Sequence, residues 1–110
     1  MYPVGYNLLM NVIFETQSFA NWLDKLRDNV GKARIVARIR RAKAGNFGDC
    51  CTVGDAISEM RIHVGPGYRL YYAQEGLRVY LLILGGDKSS QPKDVQLAKK
   101  MWREIKESKS

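Results

Sequence analysis

The segment GPGYRLYY, residues 65–72, places a single arginine among tyrosines directly after a glycine-proline-glycine turn. If this segment is a strand, Arg69 and Tyr71 point to one face of the sheet, because successive side chains in a strand alternate between faces. Arg61 and His63 precede the turn, and a hairpin closed by that turn would bring them opposite or diagonal to Arg69. The spacing therefore predicts a hairpin that carries a cationic cluster with an interleaved tyrosine.

The residue types in this cluster suit chemistry on RNA. Lys88 follows two glycines at the end of an apolar run, and those glycines would let the backbone return the lysine to the same face. Guanidinium groups grip phosphate oxygens in fork geometry, and aromatic rings stack on unpaired bases. A histidine such as His63 exchanges protons near neutral pH, which suits a general acid or base, although a single strand histidine also suits a structural role. We therefore predict Arg69, Lys88, Arg61 and His63 as catalytic and Tyr71 as RNA-binding. The alternative is that Arg69 covers apolar surface with its stem.

Composition limits the class of protein and its partners. The chain has 110 residues, 45% of them hydrophobic, which predicts one folded domain over residues 1–110. The formal net charge of +7 attracts nucleic acid, acidic protein or anionic lipid without choosing among them. No apolar run reaches the roughly 20 residues that span a bilayer, and the N-terminal segment lacks a basic region before its apolar residues. We expect a cytoplasmic protein without a membrane partner.

The cysteines and the histidine argue against a metal or cofactor site. Cys50 and Cys51 are adjacent, a spacing at which disulfides rarely form comfortably. His63 is the only histidine, and no cysteine lies at a metal-ligand spacing from it. We therefore expect no cofactor and no metal, and we interpret the cysteine pair as small residues at the start of a strand.

The hydrophobic periodicity predicts an α+β fold with the order β-α-α-β-β-β-α. The predicted elements are a strand in residues 7–14, a helix capped by Thr16, a second helix after an interruption near Gly31, the strands AISEMRIHV, YRLYYA and LRVYLLILG, and a C-terminal helix after Gly86. The GPG turn and a QEG turn join the three later strands in antiparallel order, and the last of them is apolar on both faces, as a central strand would be. We expect the two N-terminal helices to cover one face of the sheet and to leave the face of Arg69 open.

The two N-terminal helices differ in their charges. The apolar face predicted for the first helix consists of Phe19, Trp22, Leu23, Leu26 and Val30. In the second helix, Arg34, Arg38 and Arg41 line up away from the apolar stripe, and we predict that they bind RNA or an acidic partner. A solvated helix face is the equal alternative.

The element order and the runs GPGYRLYY and GGDKSSQ resemble the RelE/ParE superfamily of small bacterial toxins, and specifically its HigB-like group of addiction-module killer proteins. The similarity extends from about Val12 to Ile105. The resemblance implies a fold like that of compact microbial ribonucleases. It also implies a type II toxin that is neutralised by an antitoxin, commonly a helix-turn-helix DNA-binding protein.

The resemblance also implies an activity, with alternatives. The leading expectation is a ribosome-dependent, metal-independent endoribonuclease that cuts mRNA, in which Arg69 contacts the scissile phosphate and Lys88 and Arg61 lie near further basic positions of the family. A gyrase-inhibiting toxin of the ParE kind and a non-catalytic family member are the other possibilities. The catalytic C-terminal tyrosine of RelE has no clear counterpart, since Asp94 and Val95 occupy that region.

Overall fold

The structure is a computed structural model that describes residues 10–109. Its helices and strands, in chain order, are β1 (Val12–Glu15), α1 (Gln17–Lys25), α2 (Asn29–Lys43), β2 (Cys50–Gly54), β3 (Ile57–Ile62), β4 (Tyr68–Gly76), β5 (Val79–Asp87) and α3 (Gln91–Ser108). A short 3-10 turn, Lys88–Ser90, joins β5 to α3. The α+β class is confirmed. The predicted first strand is shorter than expected, and residues 7–9 of that prediction lie outside the described residues.

The five strands form one mixed sheet in the order β1-β5-β4-β3-β2. β1 pairs with β5 in parallel, and the remaining neighbours are antiparallel. The predicted order lacks β2, which is a separate strand joined to β3 by a turn at Asp55 and Ala56. Both of these residues have positive φ, 54° and 64°. Alanine gives no sequence signal for that conformation, which normally favours glycine or asparagine, so the turn is not evident from the sequence.

The boundaries of α1 and α2 also differ from the prediction. The Thr16 side chain caps α1 by accepting the Phe19 N–H, as predicted, but α1 ends at Lys25. Asp28 then caps α2 by accepting the N–H of Gly31, so Gly31 lies inside a helix that it does not interrupt. Val30 consequently belongs to α2, where it is exposed and not part of the α1 apolar face. The Asp28 cap explains why a second helix begins here, because an aspartate side chain accepts hydrogen bonds from the free N–H groups at the start of a helix.

The sequence predicts both hairpins that follow β3, but the turn between β4 and β5 lies at different residues from those predicted. The GPG turn joins β3 to β4 as expected, with positive φ at Gly65 and Gly67. The QEG residues belong to the end of β4, and the chain reverses at Leu77 and Arg78 instead. β5 is an interior strand between β1 and β4, which confirms the interpretation of its continuous apolar run.

Each face of the sheet carries its own hydrophobic core. α1 and α2 cover the face of Tyr68, Leu70 and Tyr72, where Phe19 and Ile35 are fully buried. α3 covers the opposite face through Ala98 and Trp102. The expectation that the face of Arg69 stays open is therefore wrong for most of that face. None of the helices in the described part of the chain has the length and apolar composition to cross a membrane.

Two consecutive glycines let both layers approach β5 closely. A Cβ built on Gly85 would overlap the Trp22 ring, and one built on Gly86 would overlap the Asp94 carboxylate. Trp22 belongs to α1 and Asp94 to α3, so the two glycines receive side chains from opposite faces of the sheet. Glycine is required at position 85, because a side chain there would occupy the space of the Trp22 ring, whereas at position 86 the Asp94 carboxylate would have to turn away.

We expect Gly85→Ala to lower the free energy of unfolding by about 1–3 kcal/mol, the usual cost of overpacking a well-packed core. The bulky Trp22 ring must move to admit the new methyl group. Gly76→Ala is the matched control, because its Cβ would meet Val79 at an ordinary 3.9 Å. Urea unfolding of both variants measures the difference, and equal stability of the two would contradict this account of the close approach.

Candidate functional site

The core of the candidate site is a pair of arginines on the β3–β4 hairpin. Arg61 and Arg69 are direct cross-strand partners in the register of these strands. Their side chains are 32% and 12% exposed. Two like charges opposite each other on neighbouring strands repel, so this arrangement needs a compensating anion. The predicted proximity of Arg61 and Arg69 is confirmed.

Glu59 provides that anion from the same face of β3. Its side chain is only 2% exposed. The Oε2 atom lies 3.3 Å from Nη1 of Arg69 and 3.6 Å from Nε of Arg61. The Cys51 Sγ atom on β2 lies 3.9 Å from the same oxygen. Glu59 is the centre of the cluster and is absent from the predicted site residues, although its two-residue spacing from Arg61 already places it on this face.

The beginning of α3 closes the cluster from above the sheet. Gln91 donates from Nε2 to Oε1 of Glu59 at 2.8 Å. Asp94, one turn further along, accepts from the Ser90 hydroxyl and packs against Gly86. Gly86 is the cross-strand partner of Arg69. Gln91 and Asp94 therefore approach the arginines from the helix that was not expected to cover them.

His63 lies at the rim of the cluster, paired with Asp49. The His63 Nε2 atom is 2.6 Å from Oδ2 of Asp49, and the other carboxylate oxygen of Asp49 is 3.7 Å from Nε of Arg61. The hydrogen bond with His63 is the main cause that lowers the pKa of Asp49, and nearby Arg61 lowers it further. Asp49 therefore connects the exposed imidazole to the arginine pair.

Lys88 follows β5 and lies at the GPG turn, on the same surface depression as His63. Its backbone N–H donates to the carbonyl of Gly67, and its side chain is exposed. Lys88, His63 and the GPG residues line a shallow surface depression of about 390 Å³. The cluster thus has an inner part with two arginines and an outer part with an imidazole and an ammonium group.

Tyr71 does not have the exposed position predicted for it. The residue is fully buried in the core beneath α3, among Ile57, Ile83 and Trp102. Its hydroxyl finds no hydrogen-bond partner within residues 10–109. Burial is the largest cause that raises the pKa of Tyr71, and the charge of Glu59 adds to it. The prediction that its ring offers an open surface for stacking on RNA bases is therefore wrong, because α3 covers that ring.

Arg38 also differs from its prediction, whereas Arg34 and Arg41 are exposed as expected. Arg38 is 8% exposed. Its guanidinium donates to the carbonyl oxygens of Arg61, Phe47 and Asp49, at 2.6, 2.7 and 3.2 Å. Burial is the main cause that lowers its pKa. The prediction that Arg38 shares an exposed RNA-binding face is wrong, because the side chain fastens α2 to the segment before β2 and to β3.

The cluster contains buried donors that make no hydrogen bond, and it has proton-transfer groups at its rim. The Nε atoms of Arg61 and Arg69 are buried and make no hydrogen bond within the described part of the chain. Between Met10 and Lys109, no three histidine, cysteine or acidic side chains come together in a way that could hold a metal ion. The chemistry that this arrangement can perform is binding of an anion by guanidinium groups, with an imidazole–carboxylate pair nearby.

One relative provides a comparison. A Haemophilus influenzae protein, named only as an uncharacterized protein, is 46% identical over 90 residues, which are 82% of this chain and 91% of the relative. No family model matches the chain. The alignment is long enough to show common descent over most of both proteins, and the name of the relative assigns no activity.

Proposed function

We propose that this chain, which belongs to the same family as the Haemophilus influenzae protein, is a HigB-like toxin of the RelE/ParE superfamily. In this proposal it is a cytoplasmic, ribosome-dependent and metal-independent endoribonuclease that cleaves mRNA and stops translation. The observation that carries the proposal is the cross-strand pair of Arg61 and Arg69. The pair lies at the hairpin on which the resemblance to these toxins depends. Two adjacent guanidinium groups suit a phosphodiester better than they suit a purely structural strand position.

The proposed reaction needs no external nucleophile. The ribose 2′-hydroxyl attacks the adjacent phosphorus, the bond to the 5′ oxygen of the next nucleotide breaks, and a 2′,3′-cyclic phosphate and a 5′-hydroxyl form. Arg69 stabilises the charge that develops on the phosphoryl oxygens, with Arg61 beside it. His63, held by Asp49, exchanges the proton of the attacking or the leaving oxygen. Lys88 binds a neighbouring phosphate at the rim.

The proposed partners follow from charge and from the family. An antitoxin, in this group commonly a helix-turn-helix protein, neutralises the toxin by covering its cationic surface. The net charge of +7 favours an acidic segment of that antitoxin. The exposed Arg34 and Arg41 on α2 bind ribosomal RNA or that acidic segment, and Arg38 is excluded from this surface by its burial.

Induction of the chain in cells without an antitoxin tests the proposed activity. Mapping of RNA 5′ ends after induction is expected to show new ends inside translated codons, together with growth arrest. The control is induction of the same chain together with its antitoxin, which should remove both effects. Growth arrest with intact RNA and gyrase-linked DNA breaks would overturn the nuclease in favour of a gyrase inhibitor.

A further inference from the structure

We infer that Glu59 is a positioning residue for the two arginines, with Gln91 fixing the orientation of the Glu59 carboxylate. The inference rests on the proposed function, in which the arginines bind the reacting phosphate. Glu59 itself is 2% exposed, so a substrate does not reach it, and it is not a catalytic residue. Its effect on the reaction is through Arg69 and Arg61.

The burial of Glu59 argues that it has a role other than stability. Transfer of a carboxylate out of water is costly, and buried ion pairs can often be replaced by apolar residues without loss of stability. The interior beneath α3 already contains apolar side chains, such as Ile57 on the same face of β3. An anion at position 59 is therefore better explained by what it does to its neighbours than by its contribution to folding.

The geometry shows what Glu59 does to those neighbours. One oxygen, Oε2, faces both Nη1 of Arg69 and Nε of Arg61, so a single atom holds two guanidinium groups that would otherwise repel. The second oxygen, Oε1, accepts from Gln91 at 2.8 Å. Because Gln91 is the first residue of α3, this hydrogen bond fixes the carboxylate between the sheet and the helix. The long arginine side chains are thereby restricted before substrate binds, which lowers the entropic cost of ordering them.

Charge removal without a change of shape tests this role. In Glu59→Gln, the amide keeps a similar volume but no longer carries the negative charge that holds the two guanidinium groups. We expect the rate of mRNA cleavage to fall about 100-fold, the size of effect that a misplacement of about 1 Å can cause. Glu75→Gln is the matched control, because Glu75 is a strand glutamate whose side chain is 14% exposed and pairs with Lys109, away from the arginines. It should leave cleavage and growth arrest unchanged.

A second readout does not depend on RNA cleavage. In the parent, NMR signals of the Arg61 and Arg69 Nε–H groups should be sharp and exchange slowly with water, because both atoms are buried. In Glu59→Gln these signals should shift and broaden. Gln91→Ala should cause a smaller change in the same NMR signals and about a 10-fold loss of cleavage. If Glu59→Gln does not fold, Gln91→Ala tests the inference in its place.

A double-mutant cycle separates a positioning role from a general structural one. If Glu59 acts through the arginines, the cost of Glu59→Gln should fall well below about 100-fold in a chain that already carries Arg69→Lys, whereas independent effects would multiply. Unchanged arginine signals in folded Glu59→Gln would overturn the inference, and so would full activity of that variant. If the parent neither cleaves RNA nor arrests growth, the proposed function fails, and the NMR comparison alone then decides whether Glu59 positions the arginines.

Discussion

Replacement of Arg69 by lysine is expected to lower the rate of mRNA cleavage by about 100-fold to 1,000-fold, the typical cost of losing one group that stabilises transition-state charge. Lysine keeps a positive charge opposite Glu59 but loses the planar fork that holds two phosphate oxygens at once. Growth after full induction, mapped RNA 5′ ends and the melting temperature of the purified variant measure the effect. Cells that express Arg69→Lys should survive.

Lysine is a better test than alanine because of the ion pair that the structure reveals. Arg69→Ala would leave the buried Glu59 with fewer partners and should lower the free energy of unfolding by about 1–3 kcal/mol. Loss of toxicity in that variant would mix folding with chemistry. Arg103→Lys on the exposed surface of α3 is the matched control and should remain fully toxic. A folded Arg69→Lys protein with undiminished toxicity would remove Arg69 from the mechanism.

The largest effect on stability is expected from Arg38→Ala. This change removes donors from three carbonyl oxygens and leaves a cavity beneath α2. Hydrogen bonds from charged groups contribute more than neutral ones, so we expect the free energy of unfolding to fall by about 3 kcal/mol. The melting temperature should fall by about 10–20 °C for a domain of this size. Thermal unfolding followed by circular dichroism measures the shift.

Arg34→Ala provides the comparison on the same helix. Arg34 lies one turn earlier and is exposed, so its removal should change the free energy of unfolding by no more than about 0.5 kcal/mol. If Arg38→Ala melts within two or three degrees of the Arg34→Ala protein, the hydrogen bonds to the three carbonyls do not stabilise the fold as described. A large difference between the two variants also means that reduced toxicity of Arg38→Ala reflects folding and not RNA binding.

Local patterns in the sequence were sufficient for most of the elements. The helical spacing of apolar residues, the Thr16 cap and the GPG turn identify α1 and the antiparallel β3–β4 hairpin, whereas the register that pairs Arg61 with Arg69 comes from the structure. These features depend on neighbours within a few residues, for which periodicity and turn chemistry are direct physical signals. β2 was not predicted, because the turn that ends it includes Ala56 at positive φ, a conformation that alanine rarely adopts.

The alternation of side chains along a strand also determined which residues share a face. It placed Arg61 and Arg69 with Glu59 and Tyr71, and the structure has all four on the side that α3 covers. Alternation does not say what lies above that face. The helix that buries Tyr71 and brings Gln91 to Glu59 begins twenty residues or more after them in the chain, so only the packing of α3 could decide these contacts.

The arginines of α2 show the same difference between sequence and tertiary structure. Helical spacing placed Arg34, Arg38 and Arg41 on related positions of one helix, and all three carry the same charge. The position of the segment before β2 decides whether an α2 guanidinium is hydrated or donates to carbonyl oxygens. That segment lies against Arg38, which donates to the carbonyl oxygens of Phe47 and Asp49. A buried arginine needs acceptors for most of its donors, and here the acceptors for Nη1 and Nη2 are backbone atoms that every residue type carries. The sequence therefore holds no local sign of them, and only the folded chain distinguishes Arg38 from its neighbours.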